Sequence, residues 1–239
     1  MNSLSYIHIL SIAIFEKSMF ESITHVIYDM DGLLLDTESI NERVNSEIVQ
    51  RYGQVFSSEI KMAIAGTTAI NSAQTIVESL NIPLTVAEYL HEKNQLLYPL
   101  YAKARTLPGT IKLVKHLAQH SIPQAIATSS AKGNFEMKTV NHQDWLQYFE
   151  TITLGDDPEI KQGKPAPDIF LLTAQRLNVK PQQCLVFEDS RSGMEAAIAA
   201  SMSVVVIPDP LFDKKLFSAA DLILDSMTQF NPELITNHN

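Results

Sequence analysis

The feature that most constrains this chain is an alternation of short apolar runs with amphipathic stretches from the Leu107-Pro108-Gly109 turn onward. The runs are Gln124–Ala127, Thr151–Leu154, Cys184–Phe187, Ser203–Ile207 and Leu222–Leu224, with helical patterns at 110–120, from about 132, at 167–177 and at 192–200. Strands that read as continuous apolar runs are buried on both faces, and a helix between successive strands is the crossover that a parallel sheet needs. An earlier run, Ile23 to Met30, is rich in β-branched and aromatic residues and supplies the first strand. The expected fold is α/β, a Rossmann-like doubly wound parallel sheet.

Between the first strand and the Pro-Gly turn the pattern changes. Ile40, Val44, Ile48 and Val49 share one helical face, with Asp36 as a candidate N-cap, Ser39 and Glu42 at capping-box spacing, and Gly53 beyond the end. Residues 69–80 place Ile70, Ala73, Ile76, Val77 and Leu80 on one stripe, and residues 86–101 place Leu90, Leu97, Leu100 and Tyr101 on another. The division expected is an extension at 1–18, an α/β core at 19–37 and 106–239, and an inserted α-helical cap at 38–105. The apolar stretch Leu4–Phe15 is too short to span a bilayer and lacks the marks of a secretory signal, and Met19 is a candidate start.

With 239 residues, 45% hydrophobic and 19% charged, the composition is that of an ordinary globular protein. A formal charge of −9 argues against nucleic acid or an anionic membrane as partner, while leaving room for a small anion at a local basic site. A single cysteine, Cys184, excludes an intrachain disulfide and fits a reducing, cytoplasmic setting. Lying in CLVF, it reads as a buried, inert thiol. Nothing in the sequence fixes the oligomeric state, and monomer is the default.

In an open α/β sheet, ligands bind beyond the carboxyl ends of the strands. The unusual polar residues gather there: Asp29 and Asp31 after the first strand, Thr128 and Ser129 after the second, Lys164 in the loop 155–165, and Glu188 and Asp189 after a later strand. Side chains two apart on a strand project the same way, so Asp29 and Asp31 can face one ligand if the extended backbone persists. Two such carboxylates repel each other and call for a cation, a hard divalent ion above all. Each residue also has an ordinary reading: Thr128 as a helix cap, Lys164 as a solvated lysine, Glu188-Asp189 as a polar strand exit. Lys132 and Lys161 are ambiguous between surface and site, and His116 and His120 read as exposed residues of a surface helix.

The segments DMDGLLLDTE, ATSS, GKPAPDIF and VFEDSRSGMEAA resemble, in order and approximate spacing, the motifs of the haloacid dehalogenase superfamily of aspartate-dependent phosphohydrolases. The resemblance covers Ile23 to about Asp225, and the wording is most similar to the pseudouridine-5'-phosphatase branch. It implies that Asp29 attacks phosphorus and Asp31 serves as acid and then base. It also implies that Lys164, the Thr128 hydroxyl and the Ser129 backbone N–H bind the phosphoryl group. Mg²⁺ would lie on Asp29, the Asp31 carbonyl and Asp189, with Glu188 a direct or water-mediated partner, and the substrate would be a small phosphomonoester.

Three alternatives remain on sequence grounds. Sugar-phosphate mutases of this type carry a histidine where Asn41 stands, and the segment Ala65-Gly66-Thr67-Thr68 lacks basic residues for a second phosphate. Dehalogenases lack the second aspartate, which is present here as Asp31. A non-catalytic phosphate-ligand-binding protein would be expected to have lost one of Asp29, Asp31, Lys164 or Asp189, and all are present.

Overall fold

A computed structural model describes residues 20–236 of the chain, so the expectations for the extension 1–18 and for Met19 lie outside the described residues. In chain order the elements are β1 (His25–Tyr28), α1 (Glu38–Arg51), α2 (Ser58–Ile64), α3 (Ala69–Ser79), α4 (Val86–Tyr101) and α5 (Thr110–Gln119). There follow β2 (Gln124–Thr128), α6 (Lys132–Thr139), α7 (Gln143–Leu146), β3 (Thr151–Leu154) and α8 (Asp168–Arg176). The chain continues through β4 (Cys184–Glu188), α9 (Arg191–Ala199), β5 (Ser203–Val206), β6 (Leu222–Ile223) and α10 (Glu233–Thr236).

The strands form one parallel sheet in the order β3-β2-β1-β4-β5-β6. The chain winds outward from β1 to one edge through β2 and β3, then returns to β4 and winds to the other. The crevice beyond β1 is therefore the switch point at which α/β sheets bind ligands. Alternate residues feed two cores: Val26, Tyr28, Phe187 and Val205 pack with Trp145 and Leu113 on one face. Ile27, Val186 and Val204 pack with Phe170 and Met194 on the other. This double burial is why the strands lack a polar face.

The four helices α1 to α4 share a separate core of Val44, Ile48, Ala73, Ile76, Tyr89 and Leu97. The chain enters and leaves this segment through adjacent backbones: Asp36 N donates to Arg105 O at 2.8 Å, and Leu107 N to Leu34 O at 3.0 Å. Two local expectations fail. Ile70 is 61% exposed, because the buried stripe of α3 is set by Ala73 and Ile76 and the first turn projects past the neighbouring helices. Ser39 and Glu42 form no capping box: Ser39 N bonds back to Asp36 Oδ1 at 3.2 Å, and Glu42 is drawn to Lys61. The box that does form is Thr85 with Glu88, at the start of α4.

No helix among the described residues is long and apolar enough to cross a membrane. Cys184 is fully buried in β4, and burial pushes its thiol up to about 12.

Candidate active site

The rim beyond β1 is built by register. Tyr28 pairs with Ile126 of β2 and Phe187 of β4, so the next residues, Asp29, Ala127 and Glu188, stand at one level of the sheet. Lys164, from the loop before α8, reaches into that level from the side. Its Nζ donates to Asp29 Oδ1 at 2.6 Å, Glu188 Oε1 at 2.6 Å and Ala127 O at 3.2 Å. The stem lies over the Phe170 ring, with Nζ 4.9 Å from the ring centre. All three ionisable side chains are buried, where an unpaired charge is costly.

Glu188 commits both oxygens to the protein. Besides Lys164 on Oε1, its Oε2 accepts from the backbone N–H groups of Asp189 (3.1 Å) and Ser190 (3.2 Å) and from the Ser190 hydroxyl (3.0 Å). Gly193 in α9 makes room for it, since a Cβ there would overlap the Glu188 carboxylate. Gly32 plays the same part for Asp189: its φ is +78°, and a Cβ would collide with the Asp189 carboxylate.

Burial pushes the Asp29 carboxyl up to about 7; Lys164 opposes that rise, while Glu188 and Asp31 add to it. Burial also raises Asp189 well above the carboxylate range, with Glu188, Asp29 and Glu38 adding repulsion. The Asp189 carboxylate accepts no hydrogen bond from a described residue, so the rim holds an uncompensated acid of the kind that a cation relieves. No three of the His, Cys, Asp or Glu side chains among the described residues converge as a ready ligand cage. The fit to a metal therefore rests on donor chemistry: oxygen ligands only, with too much negative charge for the lysines present. That chemistry suits a hard divalent ion.

Asp31 has hydrogen-bond partners of its own. The strand ends at Tyr28 and the chain curls, so that Asp31 pairs in a short bridge with Leu35. Its Oδ1 accepts from Lys138 Nζ at 2.6 Å, and its Oδ2 accepts from the Ser130 hydroxyl at 2.8 Å and, more distantly, from Thr128 Oγ1 at 3.4 Å. Burial works against the Asp31 charge, but the Lys138 ammonium and the hydrogen bonds outweigh it and hold the carboxyl below its usual range. The extended backbone on which the shared aim of Asp29 and Asp31 is conditional ends at Tyr28, and each carboxylate pairs with its own lysine.

Thr128 is buried, and its Oγ1 accepts from Ser130 N at 3.1 Å; it closes the turn and touches Asp31 at once. Ser129 is exposed at the end of β2. Lys132 and Lys161 lie on the surface, Lys132 with its backbone N–H bonded to Asp156. His116 corrects its expectation. It is half-buried, stacked on His120 at 4.2 Å between ring centres, and its Nε2 is enclosed with no hydrogen-bond partner among the described residues.

The sequence reading missed Lys138, Ser130 and Tyr101. Lys138 had a signal: Phe135, Lys138 and Thr139 recur at helical spacing on one face of α6, which puts a lysine where an apolar residue belongs. From the helical segment, Glu38 lies in the crevice near Asp31 and Asp189, its carboxyl raised by burial and by Asp31 while Lys93, Lys61 and Lys138 oppose that shift. Lys61 Nζ binds both Glu42 Oε2 and Asp209 Oδ2 at 2.9 Å, tying α2 to α1 and to the loop after β5. Beside this tie a cavity of about 360 Å³ runs from Gly32 and Asp189 past Glu38 to Lys61 and Asp209.

A haloacid dehalogenase-like hydrolase profile matches residues 26–207. The chain is 42% identical over 217 residues to (DL)-glycerol-3-phosphatase 2 of Arabidopsis thaliana, covering 89% of this chain and 90% of that protein. It is 38% identical over 220 residues to a probable pseudouridine-5'-phosphatase of Drosophila melanogaster, covering 91% and 95%. Among solved structures, a putative beta-phosphoglucomutase from Thermotoga maritima superposes with a TM-score of 0.71 at 28% identity, covering 90% of this chain and 97% of that one. With the profile running from β1 past the end of β5, through every motif at the rim, the chain belongs to the haloacid dehalogenase-like hydrolase family.

Proposed function

We propose that this hydrolase is a phosphatase that cleaves the monoester of a small phosphorylated, hydroxyl-rich metabolite by way of an aspartyl phosphate on Asp29. The observation that carries this reading is Lys164 Nζ, 2.6 Å from both Asp29 Oδ1 and Glu188 Oε1. A buried ammonium against a buried carboxylate lets a dianionic phosphate approach an anionic nucleophile, which is the main electrostatic obstacle to this attack.

In the first step an Asp29 carboxylate oxygen forms a bond to phosphorus and the ester P–O bond breaks. The departing alkoxide takes its proton from Asp31. In the second step Asp31 removes a proton from water as the water oxygen attacks phosphorus, releasing phosphate and restoring the Asp29 carboxylate. Asp31 must loosen its pairing with Lys138 to carry a proton in the first step. Thr128 and the Ser129 N–H, at the end of β2, would donate to a phosphoryl oxygen. Asp29, the Asp31 carbonyl and Asp189 would hold Mg²⁺, which when bound neutralises charge on the phosphoryl oxygens. Glu188, its oxygens already occupied, serves to fix Lys164 and the turn into α9.

The helical segment 38–105 acts as the cap that closes over the rim and sets substrate choice. The relatives named for glycerol 3-phosphate and pseudouridine 5'-phosphate share one leaving-group chemistry, an uncharged, hydroxyl-bearing alcohol. Transfer to a sugar, as in a mutase, is disfavoured. Asn41, standing where a mutase has histidine, turns its Nδ2 back onto Thr37 O at 3.1 Å and offers no proton relay.

The test is phosphate release from p-nitrophenyl phosphate, glycerol 3-phosphate and pseudouridine 5'-phosphate, with and without Mg²⁺, by the parent and by Asp29→Asn. Mg²⁺-dependent release by the parent alone is expected. Equal release by both proteins overturns the proposal.

A further inference from the structure

We propose that Lys138 is a positioning residue that ties the placement of Asp31 to the helical segment, through Tyr101. The inference rests on the reading of Asp31 as the group that serves the leaving oxygen. Lys138 is 4% exposed, a rare place for a lysine, and its ammonium meets three groups from different parts of the chain. It donates to Asp31 Oδ1 at 2.6 Å and to Ser130 Oγ at 2.8 Å, and it stands 4.6 Å from the centre of the Tyr101 ring. Asp31 and Ser130 belong to the rim of the sheet, whereas Tyr101 closes α4.

The neighbouring residues strengthen the tie. Met137, one residue before Lys138, packs against the core of the helical segment. Asn141 Nδ2 donates to Ala102 O at 2.8 Å, and His142 Nε2 lies 2.9 Å from Ala104 O, both on the backbone by which the chain leaves that segment. Helix α6 and the turn after it are thus joined to the end of α4 by packing, hydrogen bonds and a cation over an aromatic face. A shift of α4 moves the Tyr101 ring under the ammonium that grips Asp31. The same lysine is the only ammonium within hydrogen-bond distance of Asp31 among the described residues.

This role separates from bulk folding by its dependence on the leaving group. An alkyl phosphate needs a proton delivered to its departing oxygen, whereas p-nitrophenolate leaves without one. With Lys138→Met, kcat/KM for glycerol 3-phosphate is expected to fall on the order of 100-fold, and for p-nitrophenyl phosphate less than about 10-fold. Lys138→Arg is expected to recover most of the alkyl phosphate activity. Tyr101→Leu is expected to give a smaller loss with the same bias between substrates. In an Asp31→Asn background, Lys138→Met should add little further loss, because its effect runs through the missing carboxylate.

Equal losses on both substrates with Lys138→Met, or an undiminished added loss in the Asp31→Asn background, overturn the proposal. A Tyr101→Leu protein that keeps full activity on both substrates overturns the link to the helical segment. Failure of the underlying reading is distinct. There Asp31→Asn itself shows no bias toward the better leaving group, whatever Lys138 does.

Discussion

Two lysines each grip an aspartate at 2.6 Å, yet the clusters differ in construction. Around Lys164 every hydrogen-bond acceptor comes from a strand or the residue after one, Asp29 after β1, the Ala127 carbonyl of β2 and Glu188 of β4, and the ring beneath it, Phe170, belongs to the core helix α8. Around Lys138 the partners straddle the sheet rim and the end of α4. Burial overrides the lysine at Asp29 and pushes that carboxyl up to about 7, whereas at Asp31 the lysine and hydroxyl donors prevail and keep it low. The lesson is that two carboxylates two residues apart are pushed in opposite directions by what surrounds them. The first cluster is part of the fold, and the second is a joint between two parts of it.

The contrast breaks most sharply at Asp29. Asp29→Asn should lower phosphatase activity by on the order of 10⁴-fold or more while leaving circular dichroism unchanged. Activity within tenfold of the parent would refute the assignment. Next comes Lys164→Met, which strands two buried carboxylates. Loss of about 3–5 kcal/mol in denaturant unfolding is expected beside the loss of activity. An unfolding midpoint like that of the parent would show the Lys164 cluster to be no more structural than its counterpart.

A pH series sharpens the comparison further. Asp29 and Asp189 both have raised folded-state values, so the metal-free folded protein binds more protons than the unfolded chain across the interval from the ordinary carboxylate range to about 7. Stability of the metal-stripped protein should therefore fall as pH rises through that interval. Mg²⁺ at a hundredfold excess over its dissociation constant should restore about 2.7 kcal/mol near neutral pH. Melting curves with and without Mg²⁺ check both, and a metal-free protein that gains stability over that interval contradicts the charge balance drawn here. The smallest effect belongs to Lys61. Its pairs with Glu42 and Asp209 are partly exposed, so Lys61→Met should cost no more than about 1 kcal/mol. A larger loss would make this tie a structural equal of the Lys164 cluster.

What could be read from the residues follows the same division. The α/β sheet was legible because its strands are buried on both faces, and Thr151–Leu154 is recovered to the residue. The Lys164 cluster was legible because each member ends a strand or follows one, and parallel register brings strand ends together. Lys138 was less legible: its spacing with Phe135 and Thr139 marks the buried face of α6, but its partners depend on how α6 leans against α4, a tertiary contact that no local pattern shows. The strand rule stops short of Asp31 for a related reason: the strand ends at Tyr28, and Gly32 and the Asp31–Leu35 bridge turn the backbone, so the partners of Asp31 could not be read from periodicity. Ser39 forms no capping box because the first helix begins at Glu38 with Thr37 at its N-cap, which leaves Ser39 inside the first turn.

The side-by-side crossings at Asp36–Arg105 and Leu34–Leu107 carry one more consequence. Because both ends of the helical segment are stitched together beyond the end of the interior strand β1, its contents can be exchanged like a tool head, with no strand having to change its neighbours. With that segment as the proposed cap, drift in substrate range would be open to about a quarter of the chain without disturbing the residues at the strand ends.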